Sequence, residues 1–332
     1  MRRLTLILSD LYLPAGADKN AFPRALELPA FDGLLRFAGS PERIGDWRRW
    51  LGRAVGAGPL AELPAAQFFA AGVELPAAGL WLATPVALEV RVDHVRLRDR
   101  GLLAVSPEES AEWQREFART FGPGLRLGTA GERAFWLSGG PREQVTTVDP
   151  ARLLDADIGQ ALVTDTAAAR ELRRLGTEIE MWLHSAATNA ARERAGRRRI
   201  SALWLWGGGA PTSVPGANDV HWSDFRLHGT DPFVAALENL GAREPAGARP
   251  ASFAELSSAP STILELAPMS GAPSESLPAL ESNWFAPART ALSEGSLDLL
   301  TIVANDRVFR VRRRQGWKFW RRRRSWLQSL GA

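Results

Sequence analysis

The stretch Glu178-Ile179-Glu180-Met181-Trp182-Leu183-His184-Ser185-Ala186-Ala187-Thr188-Asn189, followed by Arg192, Arg194 and Gly196 and then by Ser201-Ala202-Leu203-Trp204-Leu205-Trp206-Gly207-Gly208-Gly209, decides how this chain is read. Asp165 supplies a helix cap, and Leu172, Leu175, Ile179, Trp182 and Leu183 recur at the spacing of one helical face, so a long helix runs through His184. Arg192 to Arg199 is a charged segment around Gly196. Ala202 to Trp206 is short and apolar, the pattern of a buried strand, and Gly207-Gly208-Gly209 closes it. Trp204 and Trp206 alternate with Leu205, so both belong to core or interface packing. Helix, polar connection and buried strand in that order point to an α/β protein.

Working outward, Leu4 to Leu8 is another buried strand, with Asp10 at its C-terminal end. In open α/β sheets that edge is where ligands bind. Ala30 to Phe37 and Trp47 to Val55 read as short helices, and Val86 to Val105 as hairpin strands. Ser106-Pro107-Glu108-Glu109 is a helix start, with Ser at the cap, Pro in the first turn and acids at the positive end. Trp113, Phe117 and Phe121 then recur every four residues. Leu125 to Leu127 and Ala134 to Leu137 make a further hairpin. Asp231 to Leu240 is a helix stopped by Gly241, and Asn283 to Ser293 is another. Thr262 to Leu266 and Leu297 to Ala304 are strands, and Arg307 to Arg313 with Trp317 to Arg323 form a terminal hairpin around Gln315-Gly316. This predicts an α/β core in two parts, residues 1–84 and 141–306, an inserted α+β domain at 85–140, and a basic aromatic C-terminal segment at 307–332.

With 45% hydrophobic and 23% charged residues, the 332-residue chain has the material for a sizeable core. It contains no Cys, which excludes disulfides, thiolate metal sites and Cys nucleophiles. The apolar run Leu4 to Leu8 is too short for a signal-peptide core, and no stretch reaches the ~18 apolar residues of a membrane span. The expectation is a cytoplasmic protein with no transmembrane segment. The net charge of +4 is uneven: ten of the 41 Lys and Arg residues, and none of the 37 Asp and Glu residues, lie from Arg307 onward. The remainder of the chain is therefore net acidic.

The block quoted first resembles the helix, His-Pro-Val-Asn, Arg, Gly, Pro-Ala-Asn, strand and Gly-x-Gly block of the archaeal-type cofactor-independent phosphoglycerate mutases. Its Leu203-Trp204-Leu205-Trp206-Gly207-Gly208-Gly209 form is similar to a bacterial side branch labelled phosphoglycerate mutase or regulator-of-pathogenicity-factors protein E. The resemblance implies an alkaline-phosphatase-like fold, a three-layer core with a mixed sheet plus a small inserted α+β domain. It also implies two divalent cations, Mn, Zn or Mg, flanking a Ser or Thr that accepts and returns a phosphoryl group. Two metals stabilise the attacking and leaving oxygens together.

The chain departs from that pattern where ligands are needed. His-Pro-Val-Asn becomes Ala186-Ala187-Thr188-Asn189, the Asn of Pro-Ala-Asn becomes Ser201, and the family's Asp-His after a late strand becomes Asn305-Asp306 followed by Arg307. A guanidinium has no lone pair for a metal. The segment Glu265 to Ser270 holds a single carboxylate where the family is Asp-rich, and no convincing nucleophile Ser stands in the expected place after the first helix.

Each candidate carries two readings. Asp10 is a surviving metal ligand or the cap of a turn. Asn189, Arg192 and Arg194 bind a phosphate or carboxylate, or form a solvated helix end. Gly207, Gly208 and Gly209 approach an anion through backbone N–H groups, or make a tight turn. His221, Asp224 and His228 form a loop metal cluster only if further ligands join them. Arg312, Arg313, Arg314, Lys318 and Arg321 to Arg324 (Arg321, Arg322, Arg323, Arg324) surround Trp317 and Trp320, a composition suited to nucleic acid, an anionic membrane surface or an acidic partner, or to a terminal element that leaves its Arg in water. The expectation is a catalytically degenerate mutase-like protein with a regulatory or binding role toward an unidentified protein partner or acidic ligand, and without cofactor. Its alternatives are an active mutase or phosphatase with two divalent metals, and a nucleic-acid-associated protein.

Overall fold

The computed structural model describes residues 2–13, 26–58, 63–66, 79–90, 95–154, 156–158, 165–210, 225–241, 249–256, 259–270, 273–313 and 324–331. In chain order the first elements are β1 (Arg3–Leu8), α1 (Pro29–Phe37), β2 (Glu42–Arg43), α2 (Trp47–Ala54), β3 (Gly79–Val90) and β4 (Val95–Leu102). Next come α3 (Pro107–Phe121), β5 (Arg126–Thr129), β6 (Phe135–Gly140), α4 (Ala167–Ser185), α5 (Ala187–Arg194) and β7 (Ala202–Gly209). The last are β8 (Arg226–His228), α6 (Pro232–Gly241), β9 (Ser261–Leu266), α7 (Pro273–Leu280), α8 (Ala286–Glu294), β10 (Leu299–Ala304), β11 (Arg307–Arg312) and α9 (Trp326–Gly331).

The chain forms two compact units. The first comprises Met1–Ala61, Val220–Gly229 and Gly241–Ala332. Its mixed sheet has the order β2-β11-β10-β1-β9-β8. β1 is parallel to β9 and β10, and β8 is parallel to β9. Leu4, Leu6, Ile7, Leu264, Leu300 and Ile302 are buried, which is why these strands read as mostly apolar runs. Asn305 and Asp306 both take positive φ and turn the chain into the antiparallel β11, the backbone demand of a two-residue hairpin that Asn and Asp tolerate. Arg307–Arg312 is thus a strand paired with β10, and the second arm expected at 317–323 lies outside the described residues. The helical stretch expected from Asn283 starts earlier, at Pro273, and passes through a π-helical turn at Glu281–Phe285. That turn brings Glu281 to the first amides of α1, where its carboxylate accepts from Ala30 and Phe31, and stacks Phe285 on Phe31 with centroids 4.3 Å apart. Trp326 of α9 is buried beside Phe31.

The second unit comprises Glu62–Asp219 and Thr230–Leu240. Twelve-residue β3 pairs β7 along one edge and β6 then β4 along the other, all antiparallel, with β5 beyond β6. The boundaries therefore differ from the expected ones. Residue 85 falls inside β3, and the strand Ala202–Gly209 joins the antiparallel sheet of the hairpins rather than the parallel sheet. Periodicity reports that a strand is buried but not which strand it pairs with. The start of α3 was legible. Ser106 closes a capping box with Glu109, as its spacing predicts. For α4 the cap is Thr166, which accepts from the Ala169 amide, while Asp165 pairs with Arg170. Its inward residues Leu172, Leu175, Ile179, Trp182 and Leu183 are all buried, and Trp182 meets Trp113 and Phe117 edge-on at 5.3 Å.

Candidate functional site

The first candidate is the C-terminal edge of the parallel strands. Ser9 and Asp10 follow β1 directly, both buried, and β9 places Glu265 beside them, fully buried. The Ser9 hydroxyl donates to the Glu265 carboxylate, and the Ser9 amide donates to the Leu266 carbonyl at 2.8 Å. Asp10 Oδ1 accepts from the Met269 amide at 3.0 Å, tying the turn after β1 to the turn after β9. Arg249 Nη2 donates to the Glu265 carbonyl at 2.7 Å. His228, on β8, is buried, and its burial together with Arg226 and Arg249 pushes its pKa below the usual imidazole value. His221 and Asp224 lie outside the described residues. Asn305 holds the edge from the other side: its Oδ1 accepts from Leu13 and its Nδ2 donates to the Leu330 carbonyl at 2.8 Å. Among the described residues no three His, Asp or Glu side chains come together as a metal set.

The second candidate is the stretch from α4 to β7, in the other unit. Asn189 is fully buried. Its Nδ2 donates to the Leu183 and Ile200 carbonyls, both at 2.8 Å, and its Oδ1 accepts from the Ile200 amide at 2.9 Å. The side chain clips the end of α4 to the entry of β7. Arg192 is also buried; its Nη1 donates to Glu109 Oε1 at 2.7 Å and its Nε to the Arg198 carbonyl at 2.8 Å. Arg197 takes the other oxygen, Oε2, at 2.7 Å. A carboxylate held by two guanidiniums is a charge-assisted lock. Neither Asn189 nor Arg192 belongs to a solvated helix end, and Asn189 Nδ2 and Arg192 Nε and Nη1 are directed at protein acceptors. Arg194 is exposed on the outer side of α5, with its Nε directed to the Ala190 carbonyl. The N-terminus of α5, a place where an anion would be favoured, is met by Glu116 of α3, which accepts from the Ala187 and Thr188 amides and the Thr188 hydroxyl.

Gly207, Gly208 and Gly209 lie within β7 and not in a turn after it. Leu80 pairs with Gly209 and Leu82 with Trp206, so β7 carries one residue more than β3 across this interval, a β-bulge. Gly207 supplies the positive φ of the bulge, +62°. At Gly208 a Cβ would lie 2.2 Å from the Leu80 carbonyl oxygen and 2.4 Å from the Trp81 ring. The glycines thus admit close packing of β3 and Trp81. At ~3.3 Å per strand residue they are roughly 20 Å from the Asn189 clip, so the six candidate ligand residues are not brought together. Trp204 and Trp206 donate their indole N–H groups to the Val148 carbonyl and the Thr84 hydroxyl, as packed indoles do.

Of the basic C-terminal candidates, Arg312, Arg313 and Arg324 are described and exposed; Arg314, Trp317, Lys318, Trp320, Arg321, Arg322 and Arg323 lie outside the described residues. Glu109 and Glu116 are the partners that sequence reading missed in the second candidate. The Ser106-to-Glu109 spacing shows a cap, but a second role for the same carboxylate is a tertiary event.

The architecture defines a mixed α/β protein with a partly parallel sheet in one unit and an antiparallel sheet in the other. No protein-family model matches the chain. No curated protein matches it. Among solved structures, the cofactor-independent phosphoglycerate mutase from Thermoplasma acidophilum DSM 1728 is similar at 15% identity and TM-score 0.40, over 93% of this chain and 89% of that one. The PH0037 protein from Pyrococcus horikoshii is similar at 13% identity and TM-score 0.44, over 94% and 87% of the two chains. At such scores the superpositions carry no weight beyond the strand order above. Among the described residues no helix is long and apolar enough to cross a membrane.

Proposed function

We propose that this chain is a phosphoglycerate-mutase-like protein that has lost the family's two-metal phosphoryl transfer and serves a regulatory or binding role. The observation that carries the reading is the state of the two buried carboxylates at the C-terminal edge of β1 and β9. Asp10 accepts from the Met269 amide and Glu265 from the Ser9 hydroxyl, so both hold the two turns to each other. A divalent cation needs several oxygen or nitrogen donors turned toward one point. Arg307, at the position the resemblance assigns to a His ligand, donates to the Ser329 carbonyl at 3.2 Å and brings positive charge instead of a lone pair. The Asn189 clip and the Arg192–Glu109 lock give the Asn and Arg of the mutase-like block a structural role, which supports the same reading.

The test is elemental analysis of the intact protein after incubation with manganese, zinc and magnesium and then dialysis, paired with an assay of phosphoglycerate interconversion. The expected result is no tightly held ion and no turnover. About two ions per chain together with turnover would return the protein to the metal-dependent enzymes.

A further inference from the structure

We propose that the first unit carries a pocket for a compact polyanion, a small molecule with two or more phosphate groups, built by Arg36, Arg43, Arg307 and Arg324. These four arginines line one cavity of about 570 Å³, together with the buried Phe309 and with Ser329. That volume lies in the range of small-molecule sites. No acidic residue is among its described lining residues. The four come from distant parts of the chain. Arg36 is on the last turn of α1, Arg43 on β2, Arg307 on β11, and Arg324 precedes α9.

The strand register is what makes the arrangement unusual. Arg43 and Arg307 are directly opposite each other in the β2–β11 pair, so both side chains project to the same face. Like charges in that position repel and destabilise the pair. Burial first, and then the neighbouring Arg43, push the Arg307 pKa below its usual value. Glu42, the acidic neighbour of Arg43 on the same strand, turns to the other face and pairs with Arg310 at 2.7 Å. Arg307 is oriented by its bond to the Ser329 carbonyl. A guanidinium presents a planar fork of donors that matches phosphate oxygens two at a time. Phe309 gives the pocket an apolar wall, which strengthens such contacts. A bound polyanion would offset the repulsion that the fold otherwise retains. The cavity is too small for a nucleic-acid duplex, so the geometry favours a small phosphorylated compound over a DNA or RNA backbone. The inference is independent of whether the C-terminal edge of β1 and β9 retains metal chemistry.

The probe is sodium tripolyphosphate, titrated into the full-length protein by calorimetry at low salt, with thermal melts in parallel. One site per chain is expected, with a ligand-induced rise in melting temperature. Arg43→Gln and Arg324→Gln should each weaken binding about tenfold. Arg194→Gln, an equal loss of charge on the other unit, should change it less than about twofold. Arg43→Gln should also raise the melting temperature of the ligand-free protein, because it removes a repulsive cross-strand partner; a merely structural arginine would lower it. Absence of binding at millimolar tripolyphosphate would overturn the proposal. Equal weakening by Arg194→Gln would do so too, by showing a diffuse charge effect. Tighter binding of a single-stranded oligonucleotide, lost in the same two variants, would replace it with a nucleic-acid surface.

Discussion

Replacing Asn189 by Ala separates the two readings of this residue, because a ligand-binding side chain and a structural clip respond in opposite ways. The side chain is fully buried and makes three hydrogen bonds to main chain, two from Nδ2 and one to Oδ1. Each such bond contributes roughly 1 kcal/mol net, and a buried group left without its partner costs about 1–3 kcal/mol. Asn189→Ala strands the Leu183 and Ile200 carbonyls and the Ile200 amide together, so a loss of about 3–5 kcal/mol is expected. With a urea dependence of roughly 2 kcal/mol per molar, the unfolding midpoint falls by about 1.5–2.5 M. Asn189→Asp keeps an acceptor for the Ile200 amide but aims a carboxylate at two carbonyls, and should be at least as damaging. The assay is urea unfolding followed by Trp fluorescence, since Trp113 and Trp182 lie in the same core. Arg194→Ala is the control and should stay within about 0.5 kcal/mol of the parent. An Asn189→Ala protein as stable as that control would refute the clip and return the residue to the ligand candidates.

Two further outcomes follow from the same unit. Gly208→Ala should destabilise the protein by at least about 3 kcal/mol or prevent its folding, because the new Cβ meets a backbone carbonyl in the sheet and not a movable side-chain end; thermal melts of the purified variant check it. Burial pushes the Glu238 pKa up to about 7 in the folded protein, from an ordinary 4.5. The folded state therefore holds this proton more tightly than the unfolded one, and stability declines as pH rises from about 4.5 through about 7. The full linkage would be about 3 kcal/mol, and partial solvent access reduces it to about 1–2 kcal/mol. Glu238→Gln should melt higher than the parent at pH 8 and match it at pH 5; equal shifts at both pH values would contradict the assignment.

The local elements were legible where one physical signal dominates. Leu4 to Leu8, Thr262 to Leu266 and Leu297 to Ala304 are mostly apolar because their strands are largely buried on both faces. Ser106 and Glu109 are three residues apart, which is the reach of a capping box. The mutase-like block was legible as helix, connection and strand, but the roles of its residues were not. Gly207-Gly208-Gly209 has the composition of an anion-binding turn and of a bulge, and the choice depends on Trp81 and Leu80, more than a hundred residues earlier.

By itself the sequence determined the alternation of helices and strands, the inward faces of α3 and α4, the lack of thiol chemistry and the concentration of basic charge after Arg307. Those properties follow from neighbours in the chain, through hydrophobic periodicity, capping and composition. The tertiary structure decided that β7 pairs with β3, that Asn189 and Arg192 hold main chain and a carboxylate, and that Arg36, Arg43, Arg307 and Arg324 share one cavity. Strand pairing, ion pairs and pockets join residues far apart in the chain, and a single sequence records the chemistry of each partner without recording which partners meet.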